Sequence, residues 1–299
     1  TTYEDWVATV PSSLATELYS PNHGVAFPRE VGRQMKYPEV GAAALDIKLK
    51  NKKFGSMYAV EQELLEDDQT GSFQRNSSLL GEYLKLLCEI TVYGKLASVA
   101  NMQYLDYSIP VSETKPSDEA NYPWSQALIG GGANRPAAFG VMNQANIQAG
   151  MITMMNQKNL LGIKMQVNPT RLLVSPYYKF DAAVLLNSAW YPSGAAAAGN
   201  TGGAFAINPI KGILDVSVSR YMCDHLGSFN GNSKAWYIVD DTHAGWFVLQ
   251  MRQPIAVVQE NPQSGASFEQ DVYRFKANTR KNADFIDPRF AGQGSNGSI

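Results

Sequence analysis

The stretch Leu79-Leu80-Gly81-Glu82-Tyr83-Leu84-Lys85-Leu86-Leu87-Cys88-Glu89-Ile90-Thr91-Val92-Tyr93-Gly94-Lys95-Leu96-Ala97 decides the fold. Its apolar positions Leu79, Tyr83, Leu86, Ile90, Tyr93 and Ala97 follow one another at intervals of 4, 3, 4, 3 and 4, the rhythm of one face of an α-helix. Thr70 or Ser72 stands where an N-cap belongs. A helix over 73–100 is about 40 Å long at about 1.5 Å per residue, longer than an ordinary small domain is wide, and implies an elongated molecule. Glu82, Lys85, Glu89 and Lys95 interrupt the apolar run, so it is no membrane span.

Working outward, the acidic run Glu61, Glu63, Glu66, Asp67 and Asp68 precedes the helix. Before it, Leu45, Ile47 and Leu49 alternate with Asp46, Lys48 and Lys50, the period of a half-buried strand. Asn51-Lys52-Lys53 reads as a turn into a second strand over 54–60, so 45–60 is expected to be a hairpin. Residues 1–44 hold Pro11, Pro21, Pro28 and Pro38 among several glycines and read as an extended arm with a short helix near 11–19. Downstream, 106–140 is Pro- and Gly-rich loop, and a second helix is expected over 143–158. Strands are expected at 163–167, 171–174, 213–218, 235–239, 246–251, 255–259 and 271–277, with a short helix over 179–186 and a Gly-rich loop over 193–203. The tail from Gly292 reads as frayed. Helices early and strands late, without βα alternation, point to an α+β fold.

The chain has 299 residues, 44% of them hydrophobic and 17% charged, enough apolar matter for a packed core. With 25 Lys and Arg against 27 Asp and Glu it lacks the basic footprint of a dedicated nucleic-acid binder. Two cysteines, Cys88 and Cys223, make no disulfide framework. Cys223-Asp224-His225, with Asp240, Asp241 and His243 behind, contains the parts of a nucleophilic hydrolase, but triads are assembled by folding and not by adjacency. His225, His243 and an Asp lack the spacing that fixes a metal, and Gly130-Gly131-Gly132 lacks a phosphate-binding pattern. Met151, Met154 and Met155 read as core, as do Trp236, Tyr237, Trp246 and Phe247. No catalytic, metal or cofactor site is assigned.

The order of elements is proline-rich arm, charged hairpin, acidic segment, long helix, then Asn168-Pro169-Thr170-Arg171-Leu172-Leu173-Val174-Ser175-Pro176 and a short helix. That order resembles the tailed-bacteriophage major capsid proteins of the Hong Kong 97-like fold. The later segments 234–239, 271–277 and 284–289 look most like the Mu-type major head subunit. The resemblance implies an N-terminal arm (1–28), an extended loop (29–66), a peripheral domain with a spine helix (67–165), an axial domain (166–247), and a return to the peripheral domain with a C-terminal tail (248–299).

It also implies a structural subunit of the virion that assembles with itself in the bacterial host cytoplasm. Hexamers and pentamers would tile an icosahedral shell around double-stranded DNA held by non-specific contact. Scaffold, portal and decoration proteins are implied partners, and a maturation protease that trims a precursor would explain the start at Thr1. No membrane partner is implied. Lys48, Lys50, Lys52 and Lys53 are expected to meet Glu61, Glu63, Glu66, Asp67 and Asp68 of a neighbouring copy. No Asn and Glu partners for a covalent lysine crosslink are identified, so none is expected. The alternatives are an encapsulin-like nanocompartment shell and a hydrolase built on Cys223 and His225.

Overall fold

A computed structural model describes residues 2–19, 47–69, 71–98, 141–157, 163–192, 205–222, 235–243, 245–260, 271–287 and 290–295. The loops expected over 106–140 and 193–203, all of the arm beyond Tyr19, and Cys223, Asp224 and His225 lie outside the described residues.

The chain begins with strands β1 (Ala8–Pro11), β2 (Thr16–Tyr19), β3 (Ile47–Lys50) and β4 (Lys52–Glu61). Helices α1 (Gln62–Glu66), α2 (Ser72–Ser98) and α3 (Gln144–Met155) follow, then β5 (Arg171–Val174), a single 3-10 turn at Pro176–Tyr178 and α4 (Lys179–Asn187). The remainder is strand: β6 (Trp190–Pro192), β7 (Phe205–Ile207), β8 (Asp215–Val218), β9 (Ala235–Val239), β10 (Phe247–Gln259), β11 (Val272–Phe285) and β12 (Ala291–Ser295). Two four-stranded sheets, ordered β1-β10-β11-β4 and β12-β9-β5-β8, are accompanied by the ribbons β2-β3 and β6-β7.

Two cores flank the second sheet. Side chains alternate across a strand, so Leu173, Tyr237 and Val239 enter one core with α2 and the base of β10 and β11. Leu172, Val174, Trp236 and Ile238 enter the other with α3 and α4. Asn143 caps α3 by accepting from the Asn146 N–H at 2.8 Å; Met151 and Met154 are buried in the second core as expected, whereas Met155, on the helix's outer side, is 45% exposed. That core therefore draws α3 from ahead of residue 165 and meets β12 near the chain's end. Trp236, Tyr237, Trp246 and Phe247 are all buried.

Several expectations are corrected. The helix near 11–19 is replaced by β1, which runs parallel to β10, and β2. The first residues are anchored, since Tyr3, Trp6 and Val7 are buried and the Trp6 ring stacks on Trp246 at 5.5 Å. The 45–60 hairpin does not form: β3 pairs with β2, and β4 pairs with β11. Asn51 is a junction and not a turn, its N–H bound to Ala15 O at 3.0 Å. Segments 246–251 and 255–259 are one strand, whose register shifts between Met251 and Ala256 absorb Pro254. β1 leaves that edge of β10 after Met251, so the missing proline donor costs no ladder bond there. β11 runs past residue 277 to Phe285, because its polar side chains find partners: Thr279 Oγ1 donates to Gln253 O at 2.8 Å and Asn282 Nδ2 to Lys50 O at 2.9 Å. Of the tail expected to fray, 292–295 pair with β9 in β12 and 296–299 lie outside the described residues, while 163–167 keeps only a single bridge residue, Lys164.

The long helix lies within two residues of its expected bounds, but its buried stripe is turned. Leu84, Cys88, Val92 and Leu96 are buried together with Tyr93 of the expected face, whereas Tyr83 is 61% exposed. An interval of 4 advances about 40° beyond a full turn at 3.6 residues per turn, so this stripe winds around the axis, as suits a helix crossing a twisted sheet obliquely. At the N-terminus the Asp68 carboxylate accepts from the Phe73 N–H at 2.9 Å, and Thr70, one of the two expected caps, lies outside the described residues. Among the described residues no helix is long and apolar enough to cross a membrane.

Candidate interaction surface

The residues nearest to a catalytic constellation form a clamp. Asp240 is fully buried. Its Oδ2 accepts from the Asn168 N–H at 2.8 Å and lies 2.7 Å from His243 Nδ1, while Oδ1 accepts from the Thr242 N–H at 2.9 Å. Asp241 takes the Arg171 guanidinium at 3.0 Å, and Arg171 also reaches Asp5 at 3.2 Å. These contacts lace the turn after β9 to the start of β5 and to the N-terminal segment, which leaves the carboxylates occupied. Among the described residues no three His, Cys, Asp or Glu side chains gather as a metal site.

The two charge blocks are placed at opposite ends of β4. Lys48 and Lys50 are exposed on either side of buried Leu49, and Lys52 and Lys53, adjacent on a strand, point to opposite faces. Glu61 closes β4; Glu63 and Glu66 lie exposed on α1, with Asp67 after them. Glu66 accepts from Gln62 Nε2 at 2.8 Å, and Asp68 is spent on the cap of α2. From Lys52 to Glu61 the strand runs about 30 Å at about 3.4 Å per residue, too far for the blocks to pair within one copy.

The sequence reading missed a surface that is apolar. On α4, Phe180 and Val184 are one turn apart and point away from the core that holds Ala182, Leu185 and Leu186; Phe180 is 74% exposed. Trp190 and Ile207 are cross-strand partners on β6 and β7, and both are exposed, Ile207 at 77%. Single exposed apolar residues are ordinary, but large apolar side chains left in water on a helix face and on a strand pair make both candidate contact surfaces. The signal lay in the apolar triplet Val184-Leu185-Leu186, too wide for one buried stripe on so short a helix.

A family model described as "Phage capsid protein" matches residues 46–291. No curated protein matches the chain. Among solved structures, the chain is similar to the capsid of an empty GTA particle computed with C5 symmetry, at 11% identity, covering 99% of this chain and 90% of that one, with a TM-score of 0.55. It is also similar to a chain of Mycobacterium phage Ogopogo, at 13% identity over 98% and 90% of the two chains with a TM-score of 0.51. A chain of Microbacterium phage Oxtober96 is 10% identical over 97% and 88%, also with a TM-score of 0.51. Identities this low establish the shared fold alone.

Proposed function

The chain belongs to the phage capsid protein family, and from that premise we propose that it is the major head subunit, assembling with itself into the shell of a virion around packaged DNA. The observation that carries this reading is the family match over 46–291 on a chain with the Hong Kong 97-like fold. In that reading the first core, with α2 as its spine, is the peripheral domain, and the second core, with α4, is the axial domain; α3, which the expected bounds assigned to the peripheral domain, packs in the second core and is grouped with it. Hexamers and pentamers form by contacts between copies, and a structural subunit of this kind needs no catalytic residue. The exposed apolar faces of α4 and the β6-β7 ribbon support the reading, because they spend apolar surface that a free subunit leaves wet.

The separation of the charge blocks supports a second element of the proposal. Acidic residues at one end of β4 and lysines at the other cannot satisfy each other within a chain, yet they can between chains laid end to side. Complementary charge of this kind sets register and encounter rate more than affinity. Scaffold, portal, decoration and protease partners belong to the same proposal, as does assembly in the host cytoplasm.

The test is native sedimentation and negative-stain microscopy of the purified chain under conditions that assemble related subunits. Closed particles are expected. A homogeneous species near the monomer mass of 32.7 kDa would refute the shell. Particles recovered from infected cells should hold DNA; particles holding an enzyme instead would identify a nanocompartment.

A further inference from the structure

We infer that the outer face of the β4-β11-β10 ribbon is a seat for the acidic α1 segment of a second copy of this chain, with Leu64 as the apolar plug. The inference rests on the capsid reading and names the contact surface within it.

The ribbon has two different faces. Residues of one parity, Val60, Ala277 and Thr279, are buried beneath α2. On the same face Gly81 of α2 passes so near Val257 that an added Cβ would lie 3.3 Å from its Cγ2. Residues of the other parity face outward. There Met57, Lys276 and Val258 stand in one row across three strands, with Met57 61% and Val258 59% exposed. Together with Arg274 they line a groove of about 370 Å³.

On this face β4 carries small residues on either side of Met57. Gly55 sits opposite Asn278, and a Cβ there would lie 3.0 Å from Ala277 O. The neighbouring position facing Arg274 is Ala59.

Cations outnumber acids on this face, where Glu260 also lines the groove beside Arg274. Arg274, Lys276 and Arg280 follow at alternate positions of β11, and Arg280 is the direct cross-strand partner of Lys53. Like charges placed opposite each other on a sheet cost stability, so the free subunit holds a cationic face that an anionic partner relieves. Exposed apolar side chains framed by cations call for a partner that is acidic and carries one or two apolar residues.

The chain itself presents such a segment. Glu61, Glu63, Glu66 and Asp67 surround Leu64, which is exposed. It cannot serve its own groove. The start of α1 is pinned to β11 by the Gln62 N–H, which donates to Asp271 O at 2.8 Å. From there the chain turns toward α2, on the opposite face, with Asp68 already capping that helix. Knob and groove are therefore different patches of one chain, and their union is a heterologous, head-to-tail contact of the kind that closes into rings.

The experiment has two arms. In the first, R274E/K276E and E63K/E66K each leave the subunit folded by circular dichroism but slow shell formation at least about tenfold, and the chain carrying all four changes recovers most of the rate. Wild-type rates in both double variants, or a four-fold variant no faster than either, would overturn the inference. In the second arm, a chain with Met57→Cys and a chain with Leu64→Cys are mixed, assembled and oxidised. A covalent heterodimer formed in the mixture and in neither chain alone is the expected product, and its absence from well-formed shells would overturn this contact while leaving the capsid reading intact. Wild-type chains that never associate would overturn both.

Discussion

Lys281 offers a test of the first core that depends on one atom. The residue is fully buried on the face of β11 that α2 covers; its ammonium meets no oxygen or nitrogen acceptor, has the Cys88 thiol beside it, and lies 5.7 Å from the centroid of the Phe54 ring. Burial pushes its pKa below the ordinary lysine value, and the neighbouring Cys88 thiol opposes that fall. Lys281→Met keeps the aliphatic stem and removes the charge. Removing a buried polar head without a partner should stabilise the subunit by about 1–3 kcal/mol, which corresponds to about 2–4 °C in Tm per kcal/mol for chains somewhat shorter than this one.

The pH dependence supplies the sharper readout. Between the lowered folded pKa and the ordinary value of 10.5 the unfolded chain binds the extra proton, so wild-type stability rises with pH across that window, by at most about 1.4 kcal/mol per pH unit. Tyr3, Tyr93 and Tyr19 have the opposite effect. Burial raises each of their pKa values above 10.0, so the unfolded chain ionises first, and stability falls once pH passes that value. Wild type should therefore show a maximum near pH 10, and Lys281→Met only the falling limb, with its advantage shrinking as pH rises. Melts of unassembled subunit from neutral pH upward measure both. A variant that melts lower than wild type, or that keeps the rising limb, would refute the assignment of an unpaired buried ammonium.

The turned stripe on α2 predicts that Leu96→Ala costs about 2–5 kcal/mol, while Tyr83→Ser stays within about 0.5 kcal/mol; urea unfolding of the two variants separates this stripe from the one read off the sequence. Asp240→Ala should cost about 2–3 kcal/mol, because the donors that its carboxylate serves are left unmatched, and thermal melts should show Asp240→Asn recovering part of the loss. If charge guides assembly, light scattering should show wild-type shell formation slowing as salt is raised from about 0.05 M to about 0.5 M, where the screening length falls below about 5 Å.

Particular elements explain what could be read from the sequence and what could not. The bounds of α2, β5 and α4 were legible because each depends on local signals: helical spacing, an apolar run, and Pro176 at the entry to a helix. The hairpin was misread because alternation reports which side chains share a face and says nothing about which strand lies alongside. The partners of β3 and β4 are β2, some thirty residues back, and β11, more than two hundred residues on. The stripe on α2 was misassigned because apolar residues lie on more than one side of that helix, and only the sheet beneath selects one. Both charge blocks were visible as composition. The cationic row was legible only as far as Arg274 and Lys276, inside the expected strand 271–277; Arg280 was not, since the run Asn278-Thr279-Arg280-Lys281-Asn282 has the polarity of a loop until it is paired on both edges.

The shared sheet has a mechanical consequence. A shell subunit with independent halves would open locally wherever a neighbour was lost, but here the strands at the centre cannot leave one core without leaving the other. Trp236 and Tyr237 are adjacent on β9, yet the first fills the second core and the second fills the first core. Trp236→Ala therefore removes about 3–5 kcal/mol of packing from the second core alone, and the coupling requires the first core to lose the same protection. Amide hydrogen exchange read by mass spectrometry on peptides from α3 and from the base of β11 measures each side separately. Both should lose protection by the same free energy, as members of one cooperative unit. Loss confined to α3, with β11 exchanging as in wild type, would mean that the sheet hinges between the cores and that each half opens by itself.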